Sequence, residues 1–394
     1  MARGQALASI AAAMPDVLIF ADSIRSAELR HEVPLAIPER FLYVERDGER
    51  HVVLNSYEID RLQALGTDLR AHPLEEFGID ELYNRGLSRK EVNLELKLAA
   101  VRRFGLETAV VPPDFPLEVA DHLRAHGIEL TPDRDFFVAR RRVKSPLELA
   151  GIRRAQRGAE AGMAVVRELL GRAEAANGKL LLEGEPLTCE LIRQRVERAF
   201  SERGLTAEEF IVSHGPQTAL GHERGSGPIA PGEPVVADLY PRDPDSGCYA
   251  DMTRTFVAPG GNGGGQELRE YHRVCREALE RVLAAIRPGA AGRDLHRIAC
   301  DVFQGHGYKT QLSKAPDEVL LDGFLHALGH GVGLELHEEP WLGRPPSELV
   351  AGDVIAVEPG LYRSGYGGCR LEDLVLVTED GADILTEFPY DLEP

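Results

Sequence analysis

Five residues in the C-terminal half, Asp238, Asp251, His330, Glu358 and Glu372, have the types and settings of ligands for a pair of divalent metal ions. Four are carboxylates and one is an imidazole. Asp238 follows the apolar run Val235-Val236-Ala237, where an unpaired carboxylate is costly to bury. Asp251 is expected inside a strand of its own, with Thr253, Arg254 and Thr255 placed to supply hydrogen bonds. Either aspartate alone could be a strand-end or salt-bridged acid. The stretch HALGHGVGLELHEEP resists so plain an explanation. It holds His326, His330 and His337, with Gly329, Gly331 and Gly333 around the middle one. Glycine inside a strand marks a close approach of backbone or ligand. That glycine density argues against a zinc-binding helix carrying His326 and His330, and the segment has no HExxH. Glu358 in VIAVEPG and Glu372 in CRLEDLVLV also adjoin apolar strands, where each needs a cation or a proton. An oxygen-rich set with one imidazole and no thiolate suits manganese, cobalt, iron or magnesium better than a structural zinc site. Paired divalent ions lower the pKa of water enough to supply hydroxide at neutral pH.

The elements that must hold these residues can be read in outline. A boundary falls within 141–148, RRVKSPLE, where Ser145, Pro146 and Glu148 make a helix start with a capping box. Leu149, Ile152, Ala155, Ala159, Met163, Val166 and Leu170 then recur at steps of three and four, one buried face of a long helix. Before the boundary, 41–55 predicts a hairpin around Asp47-Gly48, 89–104 a helix, 107–113 a short buried strand and 117–127 a helix closed by glycine. The first sixteen residues read as a helix rather than a signal peptide. After the boundary come a helix near 186–204, strands at 208–214, 234–240 and 249–257, and a glycine loop at 258–265. Helices near 266–286 and 292–306 follow, then glycine-punctuated strands. The expected fold class is α/β (α+β), with an N-terminal α/β domain at 1–143 and a catalytic domain at 144–394. His31, His51, His72, His122 and His126 lie scattered in the N-terminal part and read as surface or packing residues.

A formal charge of -19 opposes the counterion displacement that duplex binding needs, so nucleic acid is not an expected partner. No apolar run approaches the roughly 18 residues of a membrane span. The cysteines Cys189, Cys248, Cys275, Cys300 and Cys369 are odd in number and lack CxxC spacing, which suits a reducing cytoplasm rather than a disulfide framework.

From about Arg142 onward the chain resembles the pita-bread metallopeptidases, which include methionine aminopeptidase, aminopeptidase P and prolidase. The matching stretches are SHGPQTALGH, VVADLY, YADMTRTF, HALGHGVGLELHEEP, VIAVEPGLY and CRLEDLVLVTEDG, in the family's order. The N-terminal half is similar, in general pattern and length, to the smaller domain of the proline-specific members and of creatinase. That domain would shape substrate and support a homodimer. The resemblance implies two divalent metal ions, manganese foremost, with cobalt, iron, zinc or magnesium as alternatives. Asp251 and Glu372 would bridge them, Asp238 would complete one, and His330 and Glu358 the other. Glu358 would also be the general base. His222, His326 and His337 would contact substrate or the developing oxyanion, with Tyr362 and Arg370 on the substrate side. The implied reaction is hydrolysis of the N-terminal Xaa-Pro bond of dipeptides or short peptides. For a dipeptide, Arg344 and Arg370 are the candidates to pair with its free carboxylate.

This chain departs from the family pattern at several points. Asp238 and Asp251 lie two residues further apart than expected, with 242–247, RDPDSG, as the insertion. Ligands on paired strands keep facing each other only if an even number of residues was added. Gln217 stands where asparagine is common. Cys248 and Cys369 each precede a ligand by three residues, which suggests that they are neighbours. A metal-independent C–N hydrolase like creatinase and a non-catalytic binding module are the competing readings; the intact ligand set argues against both.

Overall fold

The computed structural model describes residues 15–261 and 265–394. The helix expected at the N-terminus lies outside the described residues, as does part of the glycine loop. Contacts divide the chain into two compact units, Met1–Arg140 and Arg141–Pro394.

The first unit is built on β1 (Val17–Ala21), β2 (Phe41–Arg46), β3 (Glu49–Leu54), β4 (Arg70–Pro73), β5 (Thr108–Val111) and β6 (Glu129–Pro132). They form one sheet in the order β4-β3-β2-β1-β5-β6. Strands β2 and β3 are the expected hairpin; Asp47 (φ 52°) and Gly48 (φ 79°) both take the positive φ that a tight two-residue turn requires. Because side chains alternate across a strand, the sheet has two buried faces. Leu18, Leu42, Val44 and Val53 pack under the helices Arg89–Arg103 and Leu117–Ala125. Val17, Ile19, Phe41 and Tyr43 form the opposite core. His51 stacks on Phe104 with centroids 4.4 Å apart and meets His72 at 3.0 Å, so these two histidines serve packing.

The second unit opens with the helix Pro146–Arg172. Ser145 caps it, its Oγ accepting from the Glu148 amide while Glu148 accepts from the Ser145 amide. A small sheet follows, β7 (Glu174–Ala176), β8 (Lys179–Leu182) and β9 (Glu185–Pro186), then the helix Cys189–Ser201. Both helices cover the sheet β10 (Ile211–His214), β11 (Pro234–Leu239) and β12 (Met252–Val257) through a core that includes Met163, Val196, Val235 and Phe256. Strand β10 is shorter than the 208–214 expected, and Asp251 falls just outside β12 rather than within a strand. The helices Gly265–Leu283 and Gly292–Gly305 cover the remaining strands. These are β13 (Asp322–Gly323), β14 (Gly329–Gly331), β15 (Glu338–Leu342), β16 (Val354–Val357), β17 (Gly360–Arg363), β18 (Gly367–Arg370), β19 (Asp373–Val377) and β20 (Ala382–Ile384). They form two sheets, β13-β17-β18 and β15-β14-β16-β19-β20.

Strand β14 is flanked closely on both sides. A Cβ on Gly329 would lie 1.9 Å from the Ala356 carbonyl oxygen, and one on Gly331 would lie 2.3 Å from that of Glu339. The glycines around His330 therefore answer to backbone approach. Gly329→Ala is expected to destabilise the second unit by at least the ~1–3 kcal/mol typical of overpacking and to weaken metal binding through displacement of His330. Denaturant unfolding and metal titration check this.

Candidate metal centre

Both halves of the second unit supply the site. Asp238 lies on β11, directly opposite Thr253 of β12. The pairing continues toward the turn, with the Ala250 amide on the Pro241 carbonyl and a bridge between Arg242 and Tyr249. The register from Asp238 to the turn is unbroken, so the extra residues sit beyond the paired segment. Alternation then puts Asp238, Tyr240, Asp251 and Thr253 on one face. The turn is tied down by Asp243, which accepts from the Ser246 amide at 2.9 Å and from Arg154 at 2.7 Å.

From the other half, His330 is the central residue of β14, paired with Ala356 of β16. Glu358 follows β16 directly, its amide donating to the Leu328 carbonyl at 2.8 Å. Glu372 lies between β18 and β19, and its amide donates to the Thr253 carbonyl at 3.1 Å. The buried Arg254 fixes this segment, donating to the Glu372 carbonyl at 2.7 Å and to the Asp373 carboxylate at 2.9 Å.

Ligating atoms of Asp251, His330 and Glu372 lie within 4.8 Å of one another, all three residues buried. His330 Nε2 is 3.8 Å from Asp251 and 3.7 Å from Glu358. The Thr253 hydroxyl lies 2.6 Å from Glu372 and 3.0 Å from Asp238, so it serves both acids. Arg370 donates to Asp238 at 2.5 Å, to Thr253 at 3.1 Å and to the Tyr362 hydroxyl at 3.2 Å. His326 Nε2 is 2.9 Å from that same hydroxyl.

Burial and like charge set the electrostatics. Burial first, then Glu372, Asp238 and Glu358 nearby, push the Asp251 carboxyl well above its ordinary range. Burial and Glu372 do the same to Glu358. Glu372 is pushed up to about 8, by burial and then by Asp238. Burial, reinforced by His337, pulls His330 down to about 4. Crowded, desolvated carboxylates beside a neutral imidazole are a donor set suited to divalent cations.

These residues line one cavity of about 490 Å³. Asp238, Asp251, His330, Glu358, Glu372, His222, His326, His337, Tyr362 and Arg370 all border it. Arg344 does not: it is exposed, on the loop after β15, and outside the lining. Trp341 and Tyr240 were not anticipated. Trp341 stacks on His337 with an interplanar angle of 12° and stands 5.9 Å from the His330 ring. Its place two residues before the exposed loop gave no periodic signal, whereas Tyr240 could have been found from its two-residue spacing to Asp238. All five cysteines are buried and free. Cys369 meets Cys275, whose Sγ is 3.6 Å from its carbonyl oxygen, while Cys248 sits beside Ser246 in the turn, so the two expected neighbours lie in different surroundings.

The sequence pattern of metallopeptidase family M24 matches residues 150–379, the span that contains every ligand described above. The chain belongs to that family. It is 34% identical over 209 residues to an Xaa-Pro dipeptidase of Pyrococcus furiosus, which covers 51% of this chain and 54% of that protein. It is 31% identical over 257 residues to a probable dipeptidase, PepE, of Mycobacterium tuberculosis, covering 64% of this chain and 60% of the relative. The chain thus spans little more than half the length of the curated relatives it matches. Among solved structures, an Xaa-Pro dipeptidase from Bacillus anthracis superposes with a TM-score of 0.73 at 22% identity, covering 96% of this chain and 94% of that one. An X-Pro aminopeptidase from Thermotoga maritima gives 0.70 at 23% identity, covering 96% and 95%. At such identities the likeness is one of fold: a smaller N-terminal α/β domain followed in sequence by an M24 pita-bread domain.

Membership of M24 implies divalent metal, and the donor set fits it. Without metal, Glu372 holds a proton more tightly in the folded chain than in the unfolded one. Stability of the metal-free protein should therefore fall as pH rises from the ordinary glutamate range, about 4.5, to about 8. Melting temperatures across that range should show the fall, and Glu372→Gln should flatten it. Metal binding at pH 7 should release protons, read by calorimetry in buffers of different ionisation heat.

Proposed function

We propose that the cavity is the active centre of a dinuclear metal exopeptidase that hydrolyses the N-terminal Xaa-Pro bond of short peptides. The observation that carries this reading is the buried Asp251–His330–Glu372 cluster, with Asp238 and Glu358 on the same cavity wall. Asp238, Asp251, His330, Glu358 and Glu372 would hold the two ions. When bound, the two ions would supply an activated water and polarise the scissile carbonyl.

The chain's own groups do the remaining work. Glu358, on the cavity wall beside His330, takes the proton from the attacking water and passes it to the leaving nitrogen. Its Oε2 lies 3.8 Å from His326 Nδ1, within reach of a side chain that also holds Tyr362. Partial burial keeps His337 below the usual histidine range, so at neutral pH it can offer a neutral N–H to the developing oxyanion, whereas His326 spends Nδ1 on the Ala327 carbonyl and Nε2 on the Tyr362 hydroxyl and so positions Tyr362. His222, on the exposed loop after β10, also lines the cavity. A bond before proline lacks an N–H, so recognition must come from ring shape, which an apolar wall provides. Xaa-Pro dipeptidases and aminopeptidases among the relatives support the proline preference. Manganese as the resident ion, a homodimer and a cytoplasmic setting belong to the same reading; the free cysteines support the last.

Chelator treatment should abolish hydrolysis of Xaa-Pro peptides, and manganese or cobalt should restore it; full activity without metal overturns the reading. Glu358→Gln should lower kcat by at least the ~10²-fold typical of a lost general base. Preference for Met-Ala over Xaa-Pro peptides would reassign the substrate.

A further inference from the structure

Ala219, Gly221 and His222, which border the cavity, belong to the segment 215–226 that follows β10. The two feet of this segment are tied together. The Ser226 amide donates to Gln217 Oε1 at 3.0 Å, and Gln217 Nε2 donates to the Ser226 carbonyl at 3.0 Å. The buried Arg193 donates to the carbonyls of Arg224 and Gly225, each at 2.7 Å. His214, the last residue of β10, adds a tie of another kind. Its Nδ1 lies 2.6 Å from Glu233 Oε2, and its Nε2 lies 3.1 Å from the same Ser226 carbonyl. Gly215 makes room for the carboxylate: a Cβ there would lie 2.7 Å from Glu233 Oε1.

A carbonyl oxygen only accepts, so Nε2 must carry a hydrogen to bond Ser226. An ionised carboxylate also only accepts, so Nδ1 must carry one as well. Both bonds together need one proton more than a neutral imidazole beside a carboxylate holds. When that proton leaves, the remaining hydrogen goes to the charged acceptor, Glu233. The Nε2 lone pair then faces the Ser226 carbonyl, and the tie to the far foot is gone. The charged and titratable groups around the pair are Glu190, Arg193 and the buried Cys189 thiol on the helix Cys189–Ser201, with Glu223 and Arg224 on the segment itself. The hydrogen bond to Glu233 holds the imidazole above its ordinary value of 6.5 against desolvation, and the Ser226 carbonyl and Glu190 add to it. We propose that protonated His214 is a positioning residue for the cavity, clamping segment 215–226 and with it His222, and that the clamp opens as pH rises. Its consequence for substrate rests on the exopeptidase reading above; the clamp itself does not.

Amide hydrogen exchange of segment 215–226 in the manganese-loaded chain tests the clamp, corrected for intrinsic rates and read against β16. A group whose folded value is raised keeps its bonds below the ordinary value and loses them as pH rises through the raised one. Protection should therefore be constant at low pH and fall through a midpoint above 6.5. Glu233→Gln should move that midpoint down. His214→Gln, which has nothing to titrate there, should remove it. Flat protection in the unaltered chain, or an unmoved midpoint in Glu233→Gln, overturns the proposal. KM for Ala-Pro-Ala should rise about tenfold across the same midpoint, as loss of a charge-assisted hydrogen bond allows, and Glu233→Gln should shift that rise by the same interval. A KM that ignores the midpoint removes the positioning role and overturns the proposal. If no Xaa-Pro bond is cleaved at any pH, the exopeptidase reading fails, and the exchange midpoint still decides the clamp.

Discussion

Four carboxylates share one cavity, and their mutual repulsion where they are largely buried is the constraint on which the surrounding structure depends. Asp251 and Glu372 are 4% and 2% exposed, so water cannot screen them. Such a group must bind protons or metal. The protein offers partial relief from its own side chains: Arg370 answers Asp238, and the Thr253 hydroxyl lies between Asp238 and Glu372. The remaining negative charge is what suits the centre to divalent cations.

Holding like charges together requires a stiff frame. Two pairs of helices, each on its own core, press the strands that carry the ligands. The β11–β12 ladder keeps its register across the ligand positions, so the longer turn at 242–247 leaves the aspartates on one face. On the other side, β14 runs between β15 and β16 so closely that only glycine fits beside His330. Arg254 pins Glu372 from behind by its main chain, leaving the carboxylate free for the site.

Electrostatics and shape both act in the cavity, whose lining also includes Leu336 and Trp341, the latter stacked on His337 and 5.9 Å from the His330 ring. Burial pulls the His326 imidazole below the usual histidine range, and both of its ring nitrogens are engaged, one by the Ala327 carbonyl and one by the Tyr362 hydroxyl.

Much of this was legible in local pattern. Acids next to apolar runs, glycines around a histidine and the Ser145 capping box are statements about neighbouring residues, and sequence carries such information directly. The hairpin at Asp47-Gly48 and the long helix after Ser145 are legible for the same reason, since turn chemistry and helical periodicity act over a few residues. Contacts between distant segments were not. Cys369 meeting Cys275 instead of Cys248, Arg370 being consumed by Asp238, Arg344 lying outside the cavity and Trp341 lining it all depend on how sheets and loops pack. By itself the sequence determined which side chains could hold metal, because burial of a charge demands a partner whatever the fold. Tertiary structure alone decided which of them meet, which cation pairs with them and which side chains line the cavity, because those outcomes depend on distances between residues far apart in the chain.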